Sequence, residues 1–334
     1  MFTKPLRINR MTVNMLSASL LALTFTACKK NESSVTIPAP QTIAQLVTSN
    51  NQLTLLTAAV NRAGLAATLS GTGPFTVFAP TDDAFRAAGF ADAAAINAAP
   101  AATLANILQY HVVSGSLPAS AIPAGQTAQP TALTANGTVY VSKAASTSGT
   151  TGVSVNGARV AMADVQASNG IIHVIDQVLL PPTGTILAIA QADTTLSLLT
   201  AAALRGGALV TGALSGTTTA LTVFAPTNAA FRAAGFLTVA AINAAPETTL
   251  TAVLTNHVVA PTRAFSPTLA NGPIATFGGG SVTATVGTGG RVTLLSRGNG
   301  TNVSNVLANS ATARNRDITA TNGVIHKIDR VLLP

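Results

Sequence analysis

Most of this chain occurs twice. The run Leu53–Ala59 (LTLLTAA) returns as Leu196–Ala202 (LSLLTAA), and Phe75–Phe85 (FTVFAPTDDAF) returns as Leu221–Phe231 (LTVFAPTNAAF). Arg86–Phe90 is identical to Arg232–Phe236, and Ala95–Pro100 to Ala241–Pro246. His111–Val113 matches His257–Val259, and Asn169–Pro181 (NGIIHVIDQVLLP) matches Asn322–Pro334 (NGVIHKIDRVLLP). A period of about 146 residues is a domain's length, several times that of a solenoid repeat. Two copies of one domain, each with its own core, are therefore expected. A role assigned to a residue in one copy can then be checked against its twin.

The blocks read as local structure. Leu53, Leu56, Ala59, Val60 and Ala63 have helical spacing with Gly64 as a stop, and the twin helix stops at Gly206. Phe75–Phe78 predicts a short strand, after which the Thr81 hydroxyl caps a helix beginning at Asp82; Thr227 does the same in the second copy. Asp82 and Asp83 oppose the dipole of that helix, and their replacement by Asn228 and Ala229 argues against shared catalysis by this acidic pair. Leu104, Ile107, Leu108, His111 and Val112 share one face of a further helix or its extension. Positions 137–165 look β-rich, with a hairpin turn at Asn156-Gly157, and an equivalent, more Gly-rich region follows Ser281. Asn169-Gly170 and Asn322-Gly323 turn into an apolar final strand.

All four histidines lie in repeated blocks, so each is a candidate for chemistry. His173 with Asp176, and His326 with Asp329, have the residue types of a base and its orienting carboxylate. Three residues apart on a strand, however, they project from opposite faces and cannot act on one atom. His111 and His257 lie on apolar helical faces, where a buried ring hydrogen-bonds within the fold. The structural reading is preferred for all four, and no catalytic residue is assigned. No cluster has metal-ligand spacing, and no nucleophile elbow, phosphate loop or dinucleotide fingerprint is present. No cofactor is expected.

The first forty residues read differently. Basic Lys4, Arg7 and Arg10 precede an apolar run from about Met15 to Phe25, then small residues lead to Cys28. The stretch Leu23–Cys28 resembles a bacterial lipobox, in which the cysteine is acylated and becomes the mature N-terminus. Cys28 is the only cysteine, which excludes disulfides within the chain. The net charge of +8 is concentrated here, since residues after Lys30 carry thirteen basic and ten acidic groups. Those charges are scattered, without interleaved aromatic residues, so nucleic acid is not an expected partner. Trp is absent and Tyr occurs twice, which argues against an aromatic platform for sugars.

The repeated blocks resemble the fasciclin-like domain where that family is most recognisable: the strand-Ala-Pro-Thr-helix segment, the Tyr110-His111 pair, and the final Asn-Gly strand. With the lipobox, the chain resembles tandem fasciclin-like proteins of the bacterial lipoprotein type. The resemblance implies an α+β fold with two domains, each a twisted β-sandwich or wedge of about seven strands with helices packed at one side. The expected organisation is a signal peptide (1–27), a tether (28–40), domain 1 (41–181), a linker (182–184) and domain 2 (185–334). The implied function is adhesion or binding at the cell envelope, non-enzymatic, with a membrane contact through the lipid on Cys28 and a protein or glycan surface ligand. Lys29-Lys30 after the cysteine lacks the Asp that commonly retains lipoproteins in the inner membrane, so the outer membrane or cell surface is the expected place. Adhesive contacts in the family are placed near the Tyr-His pair, which makes Tyr110, His111, Asn256 and His257 the candidate adhesion region, with a packed Tyr110 whose hydroxyl stabilises the fold as the open alternative. Asn256 stands where the family has Tyr, so a tyrosine function does not transfer to the second copy. Two alternatives stay open: an envelope spacer without an external ligand, and an uncharacterised hydrolase.

Overall fold

The computed structural model describes residues 40–144, 152–308 and 317–334. The signal, Cys28 and most of the tether lie outside the described residues. The first repeat opens with α1 (Ile43–Ser49), α2 (Thr54–Ala63) and α3 (Ala66–Ser70), then β1 (Phe75–Pro80). Three further helices follow, α4 (Asp82–Ala87), α5 (Ala93–Ala98) and α6 (Ala101–Tyr110). The rest is strand: β2 (Val112–Ser114), β3 (Gly125–Pro130), β4 (Thr138–Lys143), β5 (Val153–Val155), β6 (Ala158–Ala167) and β7 (Gly170–Ile175). These form one seven-stranded sheet in the order β2-β1-β7-β6-β5-β4-β3, with β1 and β7 parallel and the other pairs antiparallel.

The local signals act as the residues dictate. Gly64 ends α2 in the left-handed region at φ 71°, and the Thr81 hydroxyl accepts the Ala84 N–H to start α4. Asn156 and Gly157 take φ 46° and 85°, the two positive angles of a tight hairpin, and so join β5 to β6. One expectation shifts: α6 stops at Tyr110, His111 caps it, and Val112 already belongs to β2.

The second repeat follows the same order with α7 (Ile186–Ala192), α8 (Ser197–Arg205), α9 (Gly207–Ser215), β8 (Leu221–Pro226), α10 (Asn228–Ala233), α11 (Val239–Ala244) and α12 (Glu247–Asn256). Its strands are β9 (Val258–Val259), β10 (Gly272–Ala275), β11 (Ser281–Val286), β12 (Val292–Ser296), β13 (Ser304–Asn305), β14 (Ile318–Ala320) and β15 (Gly323–Ile328). Here the strands divide into two sheets, β14-β15-β8-β9 and β10-β11-β12-β13, which meet at a bridge between Val306 and Ile328. Gly206 ends α8 but at φ −71°, and the chain enters α9 at once, so this glycine is a corner between helices and not a left-handed stop.

Each repeat has two cores on opposite sides of its parallel strand pair. In β1, Val77 and Ala79 face the helices while Phe78 faces the sheet core with Tyr110, Val139 and Ile175. In β8, Val223 and Ala225 face the helices and Phe224 faces the other way. This is the period-two alternation of a strand buried on both sides. Phe85 and Phe231, each 1% exposed, anchor the helical cores, a burial that contributes roughly 2–3 kcal/mol apiece.

The Asn-Gly pair before the last strand does more than turn the chain. The Asn169 amide oxygen accepts the Ile43 N–H while its nitrogen donates to the carbonyls of Leu69 and Gly71. Asn322 repeats all three bonds with Ile186, Leu214 and Gly216. One side chain thus ties the first helix and the third helix to the last strand in each repeat.

Candidate functional site

His111 and His257 occupy matching interior positions. The His111 ring is 1% exposed; its Nδ1 lies 2.7 Å from the Ile107 carbonyl, and Leu179 N–H reaches Nε2 at 2.9 Å. Because a carbonyl only accepts and an amide only donates, the ring is neutral with its proton on Nδ1. His257 repeats this with the Val253 carbonyl at 2.8 Å and Leu332 N–H at 2.8 Å. Burial pushes both rings down from 6.5 to about 4, against the smaller opposing pull of the carbonyl bond. Each ring spends both nitrogens joining a helix C-terminus to the chain after the last strand.

The neighbouring residues differ in kind but serve similar ends. The Tyr110 hydroxyl donates to the Thr138 carbonyl at 2.8 Å and accepts from the Asn156 amide at 2.9 Å. Burial pushes its phenol up, and the Asn156 bond offsets part of that. Asn256 donates to Ser296 Oγ and the Leu332 carbonyl, both at 3.0 Å, and accepts from the Thr276 hydroxyl at 3.2 Å. Tyr110 is 0% and Asn256 2% exposed. The four side chains of the candidate adhesion region therefore lie in the interior, where they hold the fold. A partner would meet the surface that covers them.

His173 and His326 stack on Phe78 and Phe224, with ring centroids 5.6 and 5.5 Å apart. His173 donates from Nε2 to the Leu117 carbonyl at 2.9 Å and accepts the Asp164 N–H on Nδ1 at 3.3 Å. That is the opposite tautomer from His111. His326 has the same Nε2 bond, to the Ala264 carbonyl, but its Nδ1 lies 3.2 Å from the Asp317 carboxylate without hydrogen-bond alignment. Asp176 and Asp329 turn elsewhere: the first accepts the Arg159 N–H, the second the Asn305 N–H and side-chain amide. Each His and the Asp three residues on therefore have separate partners, the Asp lying just past the end of the strand. The aspartate that does reach a histidine, Asp317, has no spacing signal because it stands on the preceding strand's approach.

Thr81 and Thr227 cap α4 and α10. Asp82 does more than oppose a dipole: its carboxylate accepts the Leu55 N–H at 2.8 Å and the Thr54 hydroxyl at 2.7 Å, capping α2 from another element. Asn228 accepts the Leu198 N–H at 2.9 Å in the same way. An acceptor oxygen is all this position requires, which is why the acid is not retained in both copies.

A polar seam joins the repeats. The Arg263 guanidinium lies 4.1 Å from the Tyr140 ring centroid, Phe265 packs beside that ring at 6.3 Å, and the Arg263 carbonyl accepts from Gln126 at 2.9 Å. Gly157, at the tip of the β5–β6 hairpin, lies so near Asp317 that an added Cβ would stand 2.0 Å from its carboxylate. Residues 40–334 accordingly form one compact unit. None of these seam residues was a sequence candidate. A usable signal was the contrast between copies: Thr76 bonds the Gly115 carbonyl and Thr222 the Thr262 carbonyl, which pairs Ser116 with Arg263 and Pro118 with Phe265.

Among the described residues no group of His, Cys, Asp or Glu is arranged to hold a metal ion. The comparisons with known proteins agree with the repeat. The Fasciclin domain profile matches residues 51–181 and 191–334. Protein sll1483 of Synechocystis sp. is 43% identical over 143 residues, 42% of this chain and 74% of that protein. Transforming growth factor-beta-induced protein ig-h3 of Sus scrofa is 36% identical over 145 residues, which span 43% of this chain but 20% of that longer protein. A solved FAS1 domain pair from the insect cell adhesion molecule Fasciclin I covers 84% of this chain and 96% of its own, at 19% identity and a TM-score of 0.39. The profile takes in most of the chain in two successive copies, each with the same order of helices and strands, and the chain belongs to the Fasciclin domain family.

Proposed function

We propose that this protein is a non-enzymatic adhesion or binding module of the bacterial cell envelope, held to the outer membrane or cell surface by lipid on Cys28. The observation that carries the reading is the pair of Fasciclin domains in one chain, a family associated with adhesion. Support against hydrolysis comes from the four histidines, whose ring nitrogens face backbone groups or, in His326, a buried carboxylate. The ligand is a protein or glycan on a neighbouring surface, and its contacts are on the folded repeats. Exposed apolar side chains are concentrated on the second repeat, at Leu204, Leu209, Leu237, Val239 and Phe277, where a protein partner gains most from burial. The test is attachment by cells lacking the protein and complemented with wild type, with Cys28→Ser, or with residues 1–40 alone. Wild type should restore both attachment and membrane retention, Cys28→Ser should lose membrane retention, and residues 1–40 should be retained at the membrane without restoring attachment. Unchanged attachment in the deletion strain over several surfaces and partner cells would reject the reading.

The seam favours a second reading, an envelope spacer without external ligand. Arg263 is 6% exposed and Asp317 4% exposed at the junction, so the pair is built to hold one geometry. A deletion strain with normal attachment but altered envelope integrity would select the spacer.

A further inference from the structure

The two repeats enclose the same space differently. In the first, a cavity of about 120 Å³ lies between α1, α2, α3, β1 and α6, walled by Val47, Leu56, Val60, Leu69, Val77 and Leu108. In the second, the corresponding walls, Ala190, Leu199, Ala203, Leu214, Val223 and Leu254, leave about 20 Å³. The correspondence is fixed by hydrogen bonds: Asn169 and Asn322 make the same three bonds in each copy, which pairs Ile43 with Ile186 and Leu69 with Leu214. The closure has visible causes. Ala44 is replaced by Leu187, which lines the second space. The five-residue α3 is replaced by the nine-residue α9, which adds the buried Val210. The fold itself therefore does not require the void.

The walls also say what the space accepts. Its lining is mostly aliphatic; Phe78 adds a ring, Thr68 and Gln109 are polar, and His111 has both nitrogens committed to Ile107 and Leu179. A water needs two to four polar partners and finds few here. The exposed lining residues Thr68 and Ala132 mark the mouth. An engineered apolar cavity of about 150 Å³ in another protein stays dry and binds benzene or xenon, so this one has the capacity for a group of about that size. In the second repeat the place of Ala132 is taken by Phe277, since each donates its N–H to the matching strand carbonyl, Val112 or Val258.

We propose that the first repeat carries a binding cavity for a benzene-sized apolar group, a free small hydrocarbon or the end of an alkyl chain, and that the second repeat does not. The experiment is a titration of the full chain, methyl-labelled at Leu and Val, with benzene in one arm and octanoate in the other. Saturable shifts are expected at the methyls of Leu56, Val60 and Leu69, with none at Leu199 and Leu214, together with a rise in melting temperature. Shifts with benzene alone identify a free hydrocarbon; shifts at the same methyls with octanoate identify an alkyl end, its carboxylate left at the mouth. Leu65→Phe, which fills the wall, and Ala132→Phe, which narrows the mouth, should each weaken binding at least tenfold while the other methyl signals keep their positions. Absence of saturable shifts in the wild type, equal shifts in both repeats, or unchanged affinity in both folded variants would overturn the proposal.

Discussion

The two repeats show which parts of a domain are held by geometry and which by chemistry at a surface. Groups that satisfy buried backbone keep their chemistry: Asn169 and Asn322, His111 and His257, Thr81 and Thr227 make matching bonds. A group that needs only an acceptor changes freely, as Asp82 to Asn228, and where the partners change the side chain changes with them, as Tyr110, bonded to Thr138 and Asn156, gives way to Asn256, bonded to Ser296, Leu332 and Thr276. Groups at the seam differ because their partners lie in the other repeat, as Tyr140 meets Arg263, and groups around the cavity differ because the second repeat fills that space with Leu187 and Val210. The first repeat tolerates an empty space whose cost, at about 24 cal/mol per Å³, is on the order of 3 kcal/mol for its 120 Å³.

The largest effect should come from acid, and it should be shared equally. Both buried histidines titrate near 4 when folded and near 6.5 when unfolded. The unfolded chain therefore binds more protons between these values, and stability present above about 6.5 is lost as pH falls through the window to about 4. The loss is on the order of 3 kcal/mol for each ring, about 6 for the pair. Denaturant unfolding at pH 7, 5.5 and 4 measures it. His111→Gln and His257→Gln should each remove about half of the pH dependence; if one variant removes nearly all of it, the rings are not equivalent.

Next in size is the seam. Gly157→Ala forces a side chain into φ 85° and against the Asp317 carboxylate at 2.0 Å, and should cost about 2–4 kcal/mol. Gly64→Ala is the control, because its φ is 71° but no atom lies within 4 Å of the added carbon; backbone strain alone is about 1 kcal/mol. Calorimetry should show the first variant melting in two steps as the repeats uncouple. Equal losses in the two variants would mean that the seam contributes nothing.

What is legible in the sequence follows the same division. The caps at Thr81 and Thr227, the Asn156-Gly157 hairpin and the end of α2 at Gly64 were legible because each is decided within a few residues. That the histidines serve the fold was legible from their apolar neighbours, although partners 68 and 75 residues away, at Leu179 and Leu332, were not. For Tyr110 the sequence left a packed residue and an adhesive one equally open, and for Asn256 it gave no sign of burial, because a polar side chain at a helix end looks the same whether it faces water or a buried amide. The seam was hidden for a different reason. Tyr140 meets Arg263 across the repeats, and no periodicity within a repeat encodes that meeting.

Tyr110 and Asn256 allow a smaller test. Tyr110→Phe keeps the ring but removes the bond to the Thr138 carbonyl and leaves the Asn156 amide short of an acceptor, at about 1–3 kcal/mol. Asn256→Ala breaks the bonds to Ser296, Leu332 and Thr276 and should fall in the same range. Urea midpoints for the two variants check whether a tyrosine and an asparagine do equivalent work. A loss under about 0.5 kcal/mol in either would show that its network adds nothing net.

The smallest effect belongs to Asp82→Asn, and its smallness is the point. Asp82 accepts the Leu55 N–H and the Thr54 hydroxyl, whereas Asn228 accepts the Leu198 N–H and donates to the Ser197 hydroxyl and the Thr194 carbonyl. An amide at position 82 keeps an oxygen for Leu55, and the Thr54 hydroxyl can rotate to accept from its nitrogen. What is lost is a charge in the first turn of α4, about 0.3–1 kcal/mol. Asp82→Ala removes the acceptor as well and should cost about 1–2 kcal/mol, as the loss of a helix cap does. Thermal melts of both variants at low and high salt separate the two contributions, since only the charge is screened. If Asp82→Asn costs as much as Asp82→Ala, and salt narrows neither loss, the carboxylate has a role that its twin does not share, and the equivalence of the two caps is broken.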